Sequence, residues 1–131
     1  MEASSGGSMA LAGILLKLGA YGLFRLRGVA YRRSGGAFTL FFSLIGGAIL
    51  RVLCVRFVDF KVLIAYSSVA HMRLVIGGVI SSNSFGEVSS LGISLRHGFV
   101  SSGLFFGAGL LYARTNRRLF TFNSGVMSWA P

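Results

Sequence analysis

The chain has 131 residues, 53% of them hydrophobic and only 12% charged, with a mean hydropathy of +0.73. Soluble domains carry about 25% charged residues, so half that share, gathered into short clusters, excludes an ordinary water-soluble domain and asks for lipid as the solvent. The net charge of +10 does not point to nucleic acid, because the basic residues flank apolar runs and form no basic helical face; anionic lipid headgroups suit them better.

Four apolar runs stand out, each near the roughly 20 residues that a helix needs to span about 30 Å of hydrocarbon. The first covers 9–26 and is interrupted only by Lys17 and Arg25. A link over 25–36 carries Arg25, Arg27, Arg32 and Arg33 before Ser34, Gly35 and Gly36. The second run, 37–55, has Arg51 near its end, and a short charged link, 56–61, leads to the third, 62–80, which holds Tyr66, Ser67, Ser68, His71 and Arg73. A polar stretch over 81–90 precedes the fourth run, 91–112, with Arg96 and His97. The remainder, 113–131, reads as the start of a further segment. The runs are too long for barrel strands of roughly 10 residues and too apolar all round for the surface of a soluble bundle. Helices satisfy every backbone group in lipid. The predicted fold is therefore all-α and polytopic, one membrane domain with about four transmembrane helices. Basic residues in the successive links leave the orientation open. Gly103 and Gly107 form a Gly-x-x-x-Gly pair, expected at a close helix contact.

Ionisable side chains inside such runs carry the functional signal. Lys17 lies about eight residues from either end of the first run, near the bilayer centre at roughly 1.5 Å rise per residue. Its side chain would be stretched to its limit to reach an interface. Removing an ammonium from water brings its charged and neutral forms closer in free energy, which is what a proton relay requires. The alternative is a fixed ion pair, but the acidic residues, Glu2, Asp59 and Glu87, all lie outside the apolar runs. Ser67 and His71 are four residues apart and share a helix face. Ser94, His97 and Ser101 form a second polar stripe, where hydroxyls can hold water and fix the imidazole tautomer. Imidazole titrates near neutral pH and can pass a proton on. Each histidine taken alone is equally consistent with a bond to a neighbouring helix; on three spans together, Lys17, His71 and His97 make a stronger set. Two histidines without a third ligand do not make a metal site, and single Cys54 cannot hold an iron–sulfur cluster. No phosphate loop or nucleophile–base–acid set is visible, so no cofactor is expected in this chain.

Three blocks then carry a resemblance. Leu11-Ala12-Gly13-Ile14-Leu15-Leu16-Lys17-Leu18-Gly19-Ala20-Tyr21-Gly22 resembles the lysine helix of the chain 4 family of respiratory NADH–ubiquinone oxidoreductase, complex I. Asp59-Phe60-Lys61 with Leu63-Ile64-Ala65-Tyr66-Ser67-Ser68-Val69-Ala70-His71-Met72 resembles the next signature of that family. His97-Gly98 with Ser101-Ser102-Gly103-Leu104-Phe105 matches a third. The resemblance implies an antiporter-like bundle of about fourteen helices in inverted repeats, of which this chain would supply an internal part. It implies a mitochondrial inner-membrane location, membrane-arm subunits of complex I as partners, and lateral proton movement coupled to electron transfer from NADH to ubiquinone in other subunits. Lys17, His71 and His97 would be the relay, with Ser67, Ser94, Ser101, Tyr66 and Lys61 as supporting polar groups. Departures are Ser4, where proline is usual, Arg73 and Arg96 at places usually apolar or small, and Ala113 where Glu is frequent. A self-contained four-helix cation transporter is the alternative, but such proteins place a carboxylate where this chain has Lys17. A sodium–proton antiporter subunit also fits the lysine helix, though not the Leu-Ile-Ala-Tyr-Ser-Ser block.

Overall fold

An apolar chain without water must close its own backbone hydrogen bonds, and helices do so within one segment. A computed structural model of the protein describes residues 4–33, 36–81, 83–117, 119, 121 and 125. The first rod starts with α1 (Ser5–Ala10), runs through a π-helical stretch, Leu11–Leu15, and continues as α2 (Leu16–Arg33). Helices α3 (Gly36–Cys54), α4 (Phe60–Ile80) and α5 (Ser84–Thr115) follow. Ser4 caps the first rod: its Oγ accepts the Gly7 N–H at 3.2 Å, satisfying one of the orphan donors at a helix start. At the far end Asn116 adopts φ 52° and returns its N–H to the Tyr112 carbonyl at 2.8 Å, a left-handed stop that asparagine tolerates.

The helices outrun the apolar runs. Residues 27–33, expected in a link, continue α2, because arginine and alanine are good helix formers that outweigh the single Gly28 and no proline intervenes before Ser34-Gly35-Gly36. Residues 84–90 likewise form the first turns of α5, where Glu87 sits favourably at the positive end of the helix dipole. Three stretches among the described residues are long and apolar enough to cross a membrane: Gly6–Arg27, Gly36–Cys54 and Phe60–Ile80. Helix α5 is the longest, with 32 residues, but its serines, Arg96 and His97 make it less apolar. Most of the segment expected to begin over 113–131 lies outside the described residues.

Contacts fix the topology. Ala12, Ile64 and Phe105 form one apolar cluster; Ala20, Val75 and Val79 form another, joined by Leu23, Phe24, Met72 and Ile93. The first rod and α4 therefore run parallel, and α5 runs antiparallel to both. Helix α4 packs between α3 on one side and the first rod with α5 on the other. The pattern is inverted relative to a soluble bundle. Small residues are inside, among them Ala12, Ala20, Ser43, Gly47, Ser68, Ala70, Ser90 and Ser101, while Phe38, Phe41, Ile49, Val52, Phe99 and Phe106 face outward. Between lipid-soluble helices no hydrophobic force favours large residues at contacts, so small side chains that admit close backbones win.

Helices α4 and α5 approach backbone to backbone near their connection. A Cβ at Gly78 would lie 2.9 Å from the Gly86 carbonyl oxygen and 2.9 Å from Ser90 Cβ, and one at Gly86 would lie 2.7 Å from the Gly78 carbonyl oxygen. By contrast Gly103 and Gly107 meet nothing within 4 Å: their face of α5 is turned away from the other described helices, so the close contact expected there forms instead at Gly78 and Gly86. Gly78→Val should therefore force backbones apart and cost about 1–3 kcal/mol, read as a lowered thermal midpoint of the assembled full-length protein. Gly103→Ala should leave it unchanged; equal loss in both variants would contradict this packing.

Candidate functional site

Lys17 stands between the two apolar clusters, just past the π-helical stretch. Its Nζ donates to the Ala12 carbonyl at 2.8 Å and lies 3.2 Å from His97 Nδ1 on α5. An ammonium has only donors, so when Lys17 is charged, Nδ1 of His97 accepts and the ring carries its proton on Nε2. His97 is buried, and its ring centroid lies 5.7 Å from that of His71 on α4, with 46° between the planes. Three side chains from three helices thus meet at one level of the bundle. The carboxylates among the described residues are elsewhere: Glu87 pairs with Arg27, and Asp59 sits at the start of α4. The Lys17 amine is met by a carbonyl and an imidazole, not by an ion pair.

A cavity of about 270 Å³ opens between α4 and α5, lined by Ser67, His71, Arg96, His97 and Ser101 with apolar neighbours such as Ile64 and Val100. It has room for several waters beside both imidazoles. Ser94, His97 and Ser101 are all buried along α5, as their spacing suggests. The hydroxyl protons of two of these serines are taken up locally. Ser67 Oγ donates to the Ile64 carbonyl at 2.8 Å, and Ser101 Oγ donates to the Gly98 carbonyl at 3.4 Å. Each proton returns to its own helix, the usual local competition by serine in an apolar setting. The group that orients His97 is Lys17.

Two further expected site residues fall away from this centre. Tyr66 stacks on Phe57, with centroids 4.7 Å apart, and does not line the histidine cavity. Lys61 lines a separate cavity of about 180 Å³ with Ser8, Ala12, Ser68 and Phe105, one face of which is the π-helical stretch. Arg73, without an expected role, lies against Gly46 of α3 and donates to the Phe42 carbonyl at 3.4 Å, while Ser43 Oγ donates to the Arg73 carbonyl at 2.7 Å. Any side chain at Gly46 would overlap the guanidinium. Among the described residues no group of three or more His, Cys, Asp or Glu could hold a metal ion.

The direct lysine–histidine contact is not legible in the sequence, because spacing along a helix gives its faces but not which faces meet.

Comparison with known proteins identifies the family. The family model for the NADH:quinone oxidoreductase/Mrp antiporter transmembrane region matches residues 1–131. The NADH-ubiquinone oxidoreductase chain 4 of Locusta migratoria is 47% identical over 133 residues, covering 100% of this chain and 30% of that protein. The proteins of that name from Ceratitis capitata and Mytilus edulis are each 42% identical, with 100% of this chain and 30% and 31% of theirs covered. The chain thus spans about 30% of the length of these curated relatives.

The geometry makes a spectroscopic prediction. With the Lys17 ammonium facing Nδ1, the ¹⁵N shifts of the His97 ring should report the Nε2–H tautomer, and Lys17→Met should mix or reverse it. Identical His97 shifts in both proteins would mean that the amine does not orient the ring.

Proposed function

The chain belongs to the NADH:quinone oxidoreductase/Mrp antiporter transmembrane family, and from that premise we propose that it forms part of a proton-translocating membrane subunit of complex I. In this reading it resides in the mitochondrial inner membrane among other membrane-arm subunits. It holds no redox centre of its own; electrons pass from NADH to ubiquinone elsewhere in the complex. The reading as a self-contained four-helix transporter has no observation in its favour beside a family match over all 131 residues.

The observation that carries the proposal is the 3.2 Å contact between Lys17 Nζ and His97 Nδ1 in the interior of an apolar bundle. Ionisable groups there are costly, face protein or cavity, and mark ion pathways. A proton can leave the Lys17 ammonium along this contact, giving a neutral amine and an imidazolium. The imidazolium then releases its Nε2 proton to water in the adjoining cavity or toward His71. Imidazole suits the step because its two nitrogens take a proton on one side and give it on the other. The 5.7 Å between the histidine rings leaves the second transfer to a bridging water, whose hydrogen bonds are nearly as good as direct ones. The Ala12 carbonyl holds Nζ in place in either charge state.

In the full-length subunit within intact complex I, Lys17→Ala should lower the rate of proton pumping, and of the NADH oxidation coupled to it, by at least about tenfold, in line with loss of a positioned acid–base group. His97→Leu should do likewise while the complex still assembles. Normal pumping by an assembled Lys17→Ala complex would rule out the relay.

A further inference from the structure

The first rod and α5 come together at the level of Lys17 because α5 offers a bare surface there. A Cβ built on Gly98 would lie 3.0 Å from Lys17 Cε, 3.7 Å from Lys17 Nζ and 3.7 Å from the Gly13 carbonyl oxygen. The first distance is tighter than ordinary van der Waals contact. The atom in the way belongs to a flexible side chain, so it can move aside at small cost to packing. When Cε moves, the amine moves with it. Gly92 and Gly103 on the same helix differ: a Cβ at either meets nothing within 4 Å.

The opposite side of the amine is set by the π-helical stretch. The amide that a regular α-helix would send to the Ala12 carbonyl is that of Leu16, four residues on. Here the Leu16 N–H reaches Leu11 instead, five residues back. The Ala12 carbonyl receives the Lys17 amine at 2.8 Å. π-bulges place groups that a straight helix cannot and are frequent at functional sites. The amine thus sits in a three-sided seat, with the Ala12 carbonyl, His97 Nδ1 and the bare backbone of Gly98 as its walls.

We propose that Gly98 is a positioning residue for proton transfer: its missing side chain, together with the π turn at Leu11–Leu15, holds the Lys17 amine against His97. The proposal rests on the relay reading above and adds to it the group that sets the transfer distance. A Cβ at Gly98 would push Lys17 Cε by a few tenths of an ångström, and transfer rates fall steeply with such displacements of reacting groups, whereas the fold loses little when a lysine stem swings.

The test uses intact complex I carrying Gly98→Ala, Gly92→Ala, Gly103→Ala or Lys17→Ala in the full-length subunit. Assembly, NADH oxidation, the rate of proton pumping and the pH profile of pumping are measured for each. The Gly98→Ala complex should assemble normally, pump protons about threefold more slowly and show a displaced pH profile, while Gly92→Ala and Gly103→Ala match the parent. If Gly98→Ala pumps with the parent's rate and pH profile while Lys17→Ala does not pump, positioning by Gly98 is refuted and the relay stands. If Lys17→Ala pumps normally, the relay falls and this inference with it. Should Gly98→Ala fail to assemble, the Gly98→Ala/Lys17→Ala double variant decides. Restored assembly identifies the lysine stem as the obstructed group and supports the proposal. Continued failure assigns Gly98 to the backbone approach at Gly13 and overturns it.

Discussion

A charged or polar amine in hydrocarbon has to be solvated by the protein itself, and the way Lys17 is solvated organises much of this bundle. Its donors go to one carbonyl of its own rod and one imidazole of α5. That choice requires α5 to lie close to the first rod, hence Gly98, and requires a carbonyl turned toward the side chain, hence the π-helical stretch. Apolar clusters above and below this level, around Val75 with Val79 and around Ile64 with Phe105, bracket the layer that holds Lys17, His97 and His71. A carboxylate in place of the imidazole would hold the amine as a fixed ion pair. An imidazole leaves it able to exchange its proton.

The lipid solvent also explains why much of the fold was legible in the sequence and why its details were not. Long apolar runs are a strong signal, because each must be helical to satisfy its backbone. Helix ends are a weak one. Arg27 through Arg33 look like a loop by charge alone, yet arginine continues a helix readily where the chain meets the interface. The π turn left no trace in Leu11-Ala12-Gly13-Ile14-Leu15, since a register slip in hydrogen bonding changes no residue type. Gly103 and Gly107 carried the standard spacing for a close contact, yet face away from the other described helices, while Gly78 and Gly86, on different helices, make the approach. A spacing rule within one helix cannot find a pair divided between two.

The site shows the same division. Lys17, His71 and His97 could be selected as a set from their place in three apolar runs, and the structure brings the three side chains near one another. Tyr66 and Lys61 were selected by their presence in a recognisable block and turn out to serve other surroundings, Phe57 for one and the Ser8–Ser68 cavity for the other. The serine hydroxyls beside the imidazoles give their protons to their own backbone, a local bond that spacing along the helix does not reveal. Arg73 has a local account, a notch at Gly46 and a carbonyl at Phe42, that composition alone would not suggest.

The level arrangement of Lys17, His97 and His71 has an electrical consequence. The first rod, α4 and α5 stand side by side, and the three groups occupy one height along them, with Arg27 and Glu87 pairing the first rod and α5 nearer one end. A membrane potential does work of about 2.3 kcal/mol per 100 mV on each elementary charge carried along the bilayer normal, and almost none on a charge carried sideways. In the proposed relay the Lys17–His97–His71 line runs across the helices, not along them, so protons shifted along it would neither gain from nor oppose the membrane voltage, which would be felt only where a proton enters or leaves.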